Sequence, residues 1–171
     1  TERPYVTPPP ATVDGINYQT HVQIYGWQAW KANGAVSGTS GEAKRLESIR
    51  ILLQNPGYSG SVEYQTHVQT YGWQNWVKDG AESGTSGQAK RLEGIKIRLT
   101  GELAEHYDIY YRVHVQTYGW QDWAYDGEES GTVGQAKRLE AIQIELTGGL
   151  AEKYDVYYRV HSQTYGWLGW V

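Results

Sequence analysis

Four histidines, His21, His67, His114 and His161, are the residues of this 171-residue sequence best suited to moving a proton. Each has a glutamine two positions on, at Gln23, Gln69, Gln116 and Gln163. An enzyme needs one singular arrangement, such as a nucleophile with its base or a pair of carboxylates in one pocket. Here nearly every candidate recurs at the same place in each copy of a repeated segment, and His106, outside the pattern, has no recurring partner. With no Cys, no His-x-His or His-x-x-x-His spacing and no acidic calcium loop, no metal site and no cofactor is expected. The reading is of a protein that is not an enzyme.

Recognition is the chemistry these residues suit. Each His-Gln pair is followed by two tryptophans: Trp27 and Trp30, Trp73 and Trp76, Trp120 and Trp123, Trp167 and Trp170. An aromatic face takes the C–H surface of a sugar, and planar polar groups take its hydroxyls. The candidate ligand-binding set is therefore Trp30, Trp76, Trp123 and Trp170 with His21, His67, His114, His161, Gln23, Gln69, Gln116 and Gln163. The alternative for His and Gln is structural, tying neighbouring turns to the backbone. Trp27, Trp73, Trp120 and Trp167, each just after Tyr-Gly, are expected to pack against a neighbouring strand, whereas the second tryptophans sit among changing polar neighbours and are expected to be more exposed.

Positioning these residues falls to a repeated unit. The first tryptophans stand 46, 47 and 47 residues apart, and the segments read YQTHVQIYGWQAW, YQTHVQTYGWQNW, YRVHVQTYGWQDW and YRVHSQTYGWLGW. Each complete unit adds a second half, SGTSGEAKRLESIRILL from Ser37, SGTSGQAKRLEGIKIRL from Ser83 and SGTVGQAKRLEAIQIEL from Ser130. Such a period marks a repeat architecture in which each unit buries its face against its neighbours. The expected division is a Pro/Thr-rich linker over 1–15, repeats over 16–61, 62–108 and 109–155, and a partial fourth over 156–171. The linker composition implies a domain upstream.

Alternation of period two predicts strands in both halves. Tyr64, Thr66 and Val68 share one face against Gln65, His67 and Gln69. In the second half Arg91, Glu93, Ile95, Ile97 and Leu99 are assigned to one face. By that assignment the pairs Arg45 and Glu47, Arg91 and Glu93, and Arg138 and Glu140 are partly buried structural ion pairs on the isoleucine face. Asn33-Gly34, Asp79-Gly80 and Asp126-Gly127 supply the positive φ of tight turns. Each unit then reads as about three antiparallel strands, and Leu103 to His106 could hold one helical turn. The fold expected is all-β, a pseudo-three-fold β-prism or trefoil-like body, with an open row of small sheets as the alternative.

The motif H-V-Q-x-Y-G-W-Q-x-W, an Asn/Asp-Gly turn and S-G-T-x-G-Q-A-K-R-L-E-x-I-x-I-x-L resembles the ChW repeat, clostridial hydrophobic with a conserved Trp, over about nine-tenths of the chain. The resemblance implies an exported, cell-surface or secreted protein of a Gram-positive bacterium, a binding or adhesion module rather than a hydrolase. The sequence ends before the second half of its fourth copy, which puts any site there in doubt.

Composition narrows the partners. Nineteen acidic against fifteen basic residues give a net charge of −4, which offers no footprint for nucleic acid. No apolar run approaches the roughly 20 residues of a membrane-spanning helix, so membrane insertion is not expected. Eight Trp and fifteen Tyr with no Phe give every large ring a polar handle, which suits a wet recognition surface. The favoured partner is a glycan or cell-wall polymer, held by weak repeated sites that gain from avidity. The rival is a structural role, self-association into a surface layer or filament through exposed strand edges.

Overall fold

A computed structural model describes residues 13–148 and the strand backbone of 161–162 and 166–167. Most of the proline-rich stretch lies outside the described residues, as do Gln163, Trp170 and the side chains of His161 and Trp167. The described chain is all-β apart from one short helix. The first unit holds β1 (Gly15–Val22), β2 (Gly26–Trp27), β3 (Lys31–Ala32), β4 (Ser37–Gly38) and β5 (Leu46–Gln54). The second holds β6 (Val62–Val68), β7 (Gly72–Trp73), β8 (Val77–Lys78), β9 (Ser83–Gly84) and β10 (Leu92–Leu99), followed by α1 (Glu102–His106). The third holds β11 (Asp108–Val115), β12 (Gly119–Trp120), β13 (Ala124–Tyr125), β14 (Ser130–Gly131) and β15 (Leu139–Thr147). The fourth copy contributes β16 (His161–Ser162) and β17 (Gly166–Trp167), which pair in the register of the other Trp hairpins.

Each unit is built on two long strands rather than three short ones. The long strands pair antiparallel, β1 with β5, β6 with β10 and β11 with β15. Two two-residue strands line the outer edge of the first long strand, as β2 and β3 do along β1. The Asn/Asp-Gly turns sit as expected in left-handed backbone, with φ of 49°, 48° and 47° at Asn33, Asp79 and Asp126. Their side chains also serve the sheet: Asn33 Oδ1, Asp79 Oδ1 and Asp126 Oδ1 accept the N–H of Ile16, Val62 and Ile109 at the start of each long strand.

The remaining short strand of each unit leaves for another sheet. β9 adds to β5, β14 to β10 and β4 to β15, so unit two completes unit one, unit three completes unit two, and unit one completes unit three. The exchange is cyclic, which makes the three units a closed three-fold body and sets aside the open row. Hydrogen bonding is divided among three five-stranded sheets and does not run round the ring as a barrel. The Gly of each Ser-Gly strand is required at this joint. A Cβ on Gly38, Gly84 or Gly131 would come within 2.5 Å of the carbonyl oxygen of Glu140, Glu47 or Glu93 on the neighbouring strand.

One hydrophobic cluster fills the interior, drawn from all three units. Ile16, Tyr18, Val22, Leu46, Ile49 and Ile51 of the first recur as Val62, Tyr64, Val68, Leu92, Ile95 and Ile97 of the second. Full burial of one such side chain stabilises by roughly 1.5–3 kcal/mol, and the core is continuous only because the sheets share it.

The strand-face assignment in the second half needs correction. His67 lies opposite Gly94 and Val68 opposite Leu92, so Glu93 is the extra residue of a β-bulge. Glu47 and Glu140 are skipped in the same way. A bulge inverts the alternation on one side of it. Leu92 therefore joins Ile95 and Ile97 inside, while Arg91 and Glu93 turn to the outer face beside His67.

Candidate functional site on the outer faces

The bulge assembles the same constellation three times. Glu47 Oε1 lies 3.1 Å from His21 Nδ1, Glu93 Oε1 3.0 Å from His67 Nδ1, and Glu140 Oε1 3.0 Å from His114 Nδ1. The other carboxylate oxygen of each takes an arginine at 2.9 Å, from Arg45, Arg91 and Arg138. These glutamates are buried, and each carboxylate is hydrogen-bonded to its arginine and lies in close contact with its imidazole, a contact that is a hydrogen bond in unit three, between His114 Nδ1 and Glu140 Oε1. The expected Arg–Glu ion pairs are thus formed, on the face opposite the isoleucines.

The imidazole in turn orients the first tryptophan. The rings of His21 and Trp27, His67 and Trp73, and His114 and Trp120 meet edge to face with centroids 5.4 Å apart in all three units. Trp73 lies over β10, where its Cη2 stands 3.4 Å from the place a Cβ on Gly94 would take. The first tryptophans do pack on the strands, yet all three remain only half-buried.

A cation covers each of these indoles. Arg50 lies 4.1 Å from the Trp27 ring, Lys96 4.4 Å from Trp73 and Arg112 5.0 Å from Trp120. Arg50 and Lys96 come from the second long strand, Arg112 from the first. In unit one Arg50 donates to Gln19 opposite it, and in unit three Arg112 donates to Gln143 opposite it. The two residues have changed strands and the cation has kept its indole. Sequence reading missed these cations because the position shared by Arg50 and Lys96 holds Gln143 in the third unit, where the cation comes from the opposite strand.

The second tryptophans share this surface. Trp76 carries Arg98 at 3.8 Å, and Trp123 carries Arg112 at 4.9 Å, so that one guanidinium in unit three serves both indoles. Trp123 is exposed, whereas Trp30 and Trp76 are half-buried. The glutamines divide their capacity. The Oε1 of Gln23, Gln69 and Gln116 accepts the N–H of Arg45, Arg91 and Arg138 across the sheet. This is the backbone-tying role weighed as the alternative for these residues, and it takes up one lone pair of each amide oxygen.

Three exposed tyrosines were not singled out from the sequence. Tyr25, Tyr71 and Tyr118 are each about half open to solvent, at 49%, 52% and 51%. Their signal was recurrence before Gly-Trp in every copy. Tyr25 donates to Glu42, and that hydrogen bond, followed by the charge of the carboxylate, holds the phenol above its ordinary pKa. Among the described residues no group of three or more His, Cys, Asp or Glu could hold a metal ion, and no helix is long and apolar enough to cross a membrane.

Residues 21–55, 67–101 and 114–148 match the family model described as Clostridial hydrophobic W, ChW. No curated protein and no solved structure matches the chain.

Proposed function

The chain belongs to the ChW family, and from that premise we propose that it is a non-catalytic binding module, exported to the surface or surroundings of a Gram-positive cell, that holds a glycan on three equivalent outer faces. The observation that carries this reading is the repetition of the His–Glu–Arg and indole constellation with the same 5.4 Å ring contact in every unit, outside the core. Half-open indoles held in fixed orientation with a cation on each are a preorganised surface for sugar rings. Three weak sites on one rigid ring give avidity for a polymer. Trp30, Trp76 and Trp123 are the platforms, and His21, His67 and His114 hold the inner indoles.

The test is a glycan array followed by calorimetry on the best neutral oligosaccharide, with cell-wall polymer and mucin glycans included. A stoichiometry of three short ligands per chain is expected. Absence of binding, with concentration-dependent assembly in the ultracentrifuge, would transfer the outer faces to self-association.

A further inference from the structure

We propose that units two and three each carry a second site, for an anionic sugar bearing a carboxylate or a phosphate, where the turn after the His strand meets the loop entering the last long strand. In unit two it is formed by Thr70, Tyr71, Gln88 and Lys90, and in unit three by Thr117, Tyr118, Gln135 and Lys137. Lys90 Nζ lies 3.3 Å from Thr70 Oγ1 and 5.5 Å from the Tyr71 ring centroid. Lys137 Nζ lies 3.2 Å from Thr117 Oγ1 and 5.6 Å from the Tyr118 centroid. The tyrosine hydroxyls donate to Gln88 Oε1 and Gln135 Oε1, each at 2.8 Å.

These bonds decide what each cluster still offers. The glutamine oxygen already accepts the tyrosine hydroxyl and keeps one lone pair, and the NH₂ beside it adds donors to the cluster. The ammonium donates one of its three N–H groups to the threonine oxygen and has two more to offer. A half-open ring, an ammonium, a hydroxyl and an amide NH₂ without a carboxylate among them favour a negatively charged group attached to a sugar ring. The chain as a whole is net acidic, at −4, so attraction of an anion has to be local.

The backbone at this turn is strained. Thr70 and Thr117 have φ of 74° and 75°, a left-handed conformation that β-branched residues rarely adopt, where glycine or asparagine would sit without cost. Such strain costs on the order of 1–3 kcal/mol and clusters at functional positions. The same strain recurs at Ile24 in unit one, so it belongs to the turn, which in units two and three sets a hydroxyl beside the lysine.

Unit one has the same turn without the same chemistry. Ile24, with φ of 72°, replaces the threonine, and Glu42 replaces the glutamine, accepting the Tyr25 hydroxyl at 2.7 Å near Lys44. A carboxylate at this place repels an anion. The described residues therefore carry two of these sites rather than three.

The experiment maps amide shifts of the intact chain during titration with a uronic-acid oligosaccharide, a phosphodiester-linked hexose oligomer and a neutral oligosaccharide of matched length. The expected result is two sites, at Thr70–Tyr71 and Thr117–Tyr118, for one or both anionic probes, weakened by salt and silent to the neutral probe; which anionic probe binds identifies the group. Lys90→Gln should weaken its own site about tenfold, as loss of a charge-assisted hydrogen bond does, and leave the other. The double substitution Ile24→Thr with Glu42→Gln should create a third site in unit one, a gain that a folding defect cannot imitate. Equal shifts with the neutral probe, no binding of either anion, or two sites unchanged in Lys90→Gln would overturn the proposal. So would a unit one that stays silent after its double substitution.

Discussion

The Ile144 N–H donates to the hydroxyl of Tyr18 at 3.3 Å, joining the third unit to the first across 126 residues of sequence. The Tyr18 hydroxyl in turn donates to the Ala35 carbonyl. The same bridge links Ile51 to Tyr64 at 3.1 Å and Ile97 to Tyr111. Beside each, a turn glycine closes a second bond, as Gly34 N–H does to Ile144 O at 2.8 Å. The tyrosine at the start of each repeat is thus a joint between units, with its ring in the core and its hydroxyl shared by two sheets.

Tyr64→Phe should lower stability by about 1–3 kcal/mol, the cost of leaving the buried Ile51 N–H without an acceptor. The ring still fills its space, so the loss belongs to the hydroxyl. Urea unfolding of the variant against the parent measures it. An unchanged midpoint would mean that the bridge contributes nothing to closure.

Burial of the three hydroxyls gives the ring an alkaline limit. It pushes Tyr18 and Tyr111 from 10.0 up to about 12, and raises Tyr64 further, partly offset by the backbone N–H each accepts. A raised pKa means that the folded state holds the proton more tightly, so this stability is complete below pH 10 and is lost as pH rises toward 12. Unfolding midpoints followed from pH 8 to 12 should be flat and then fall steeply. In the triple Tyr→Phe variant the fall should be shallower.

Glu93→Gln should lower stability by roughly 1–3 kcal/mol, because it weakens the bonds to both His67 and Arg91 at a buried site. Since His67 orients Trp73, near-UV circular dichroism of the indole should change as well. A variant with normal stability and an unaltered indole signal would show that the bulge does not depend on this carboxylate.

Much of this arrangement was legible in residue types. Asn33-Gly34 and its counterparts announced the turns, and Tyr64, Thr66 and Val68 announced the buried face. The bulge escaped because strict alternation was carried through Glu93; the spacing of Leu92 and Ile95, both apolar and three apart, was its trace. Cyclic exchange was not legible either. Ser83-Gly84 is too short to show a period, and its partner Ser48-Ile49 lies 35 residues before it, with nothing in either segment to name the other.

Unit three carries a repairable flaw. Thr20 Oγ1 meets Ser37 Oγ, and Thr66 Oγ1 meets Ser83 Oγ, at 2.9 Å, but Val113 holds the equivalent place and buried Ser130 Oγ has no partner. Val113→Thr should restore the bond and stabilise the chain by about 0.5–1.5 kcal/mol. Thermal unfolding measures the change, and a destabilised variant would show that the hydroxyl does not reach Ser130.

Stepwise removal of the outer tryptophans tests the central claim most directly. Binding to purified Gram-positive cell-wall polymer and to mucin glycan would be measured for the parent, for Trp76→Ala, for Trp76→Ala with Trp123→Ala, and for the triple variant that adds Trp30→Ala. Near-UV circular dichroism and unfolding midpoints would be recorded for each. If the three faces act as equivalent platforms, every variant stays folded and each loss removes about 1–3 kcal/mol from one local site, so that avidity falls in steps. A folded triple variant that binds both polymers as tightly as the parent would contradict the claim.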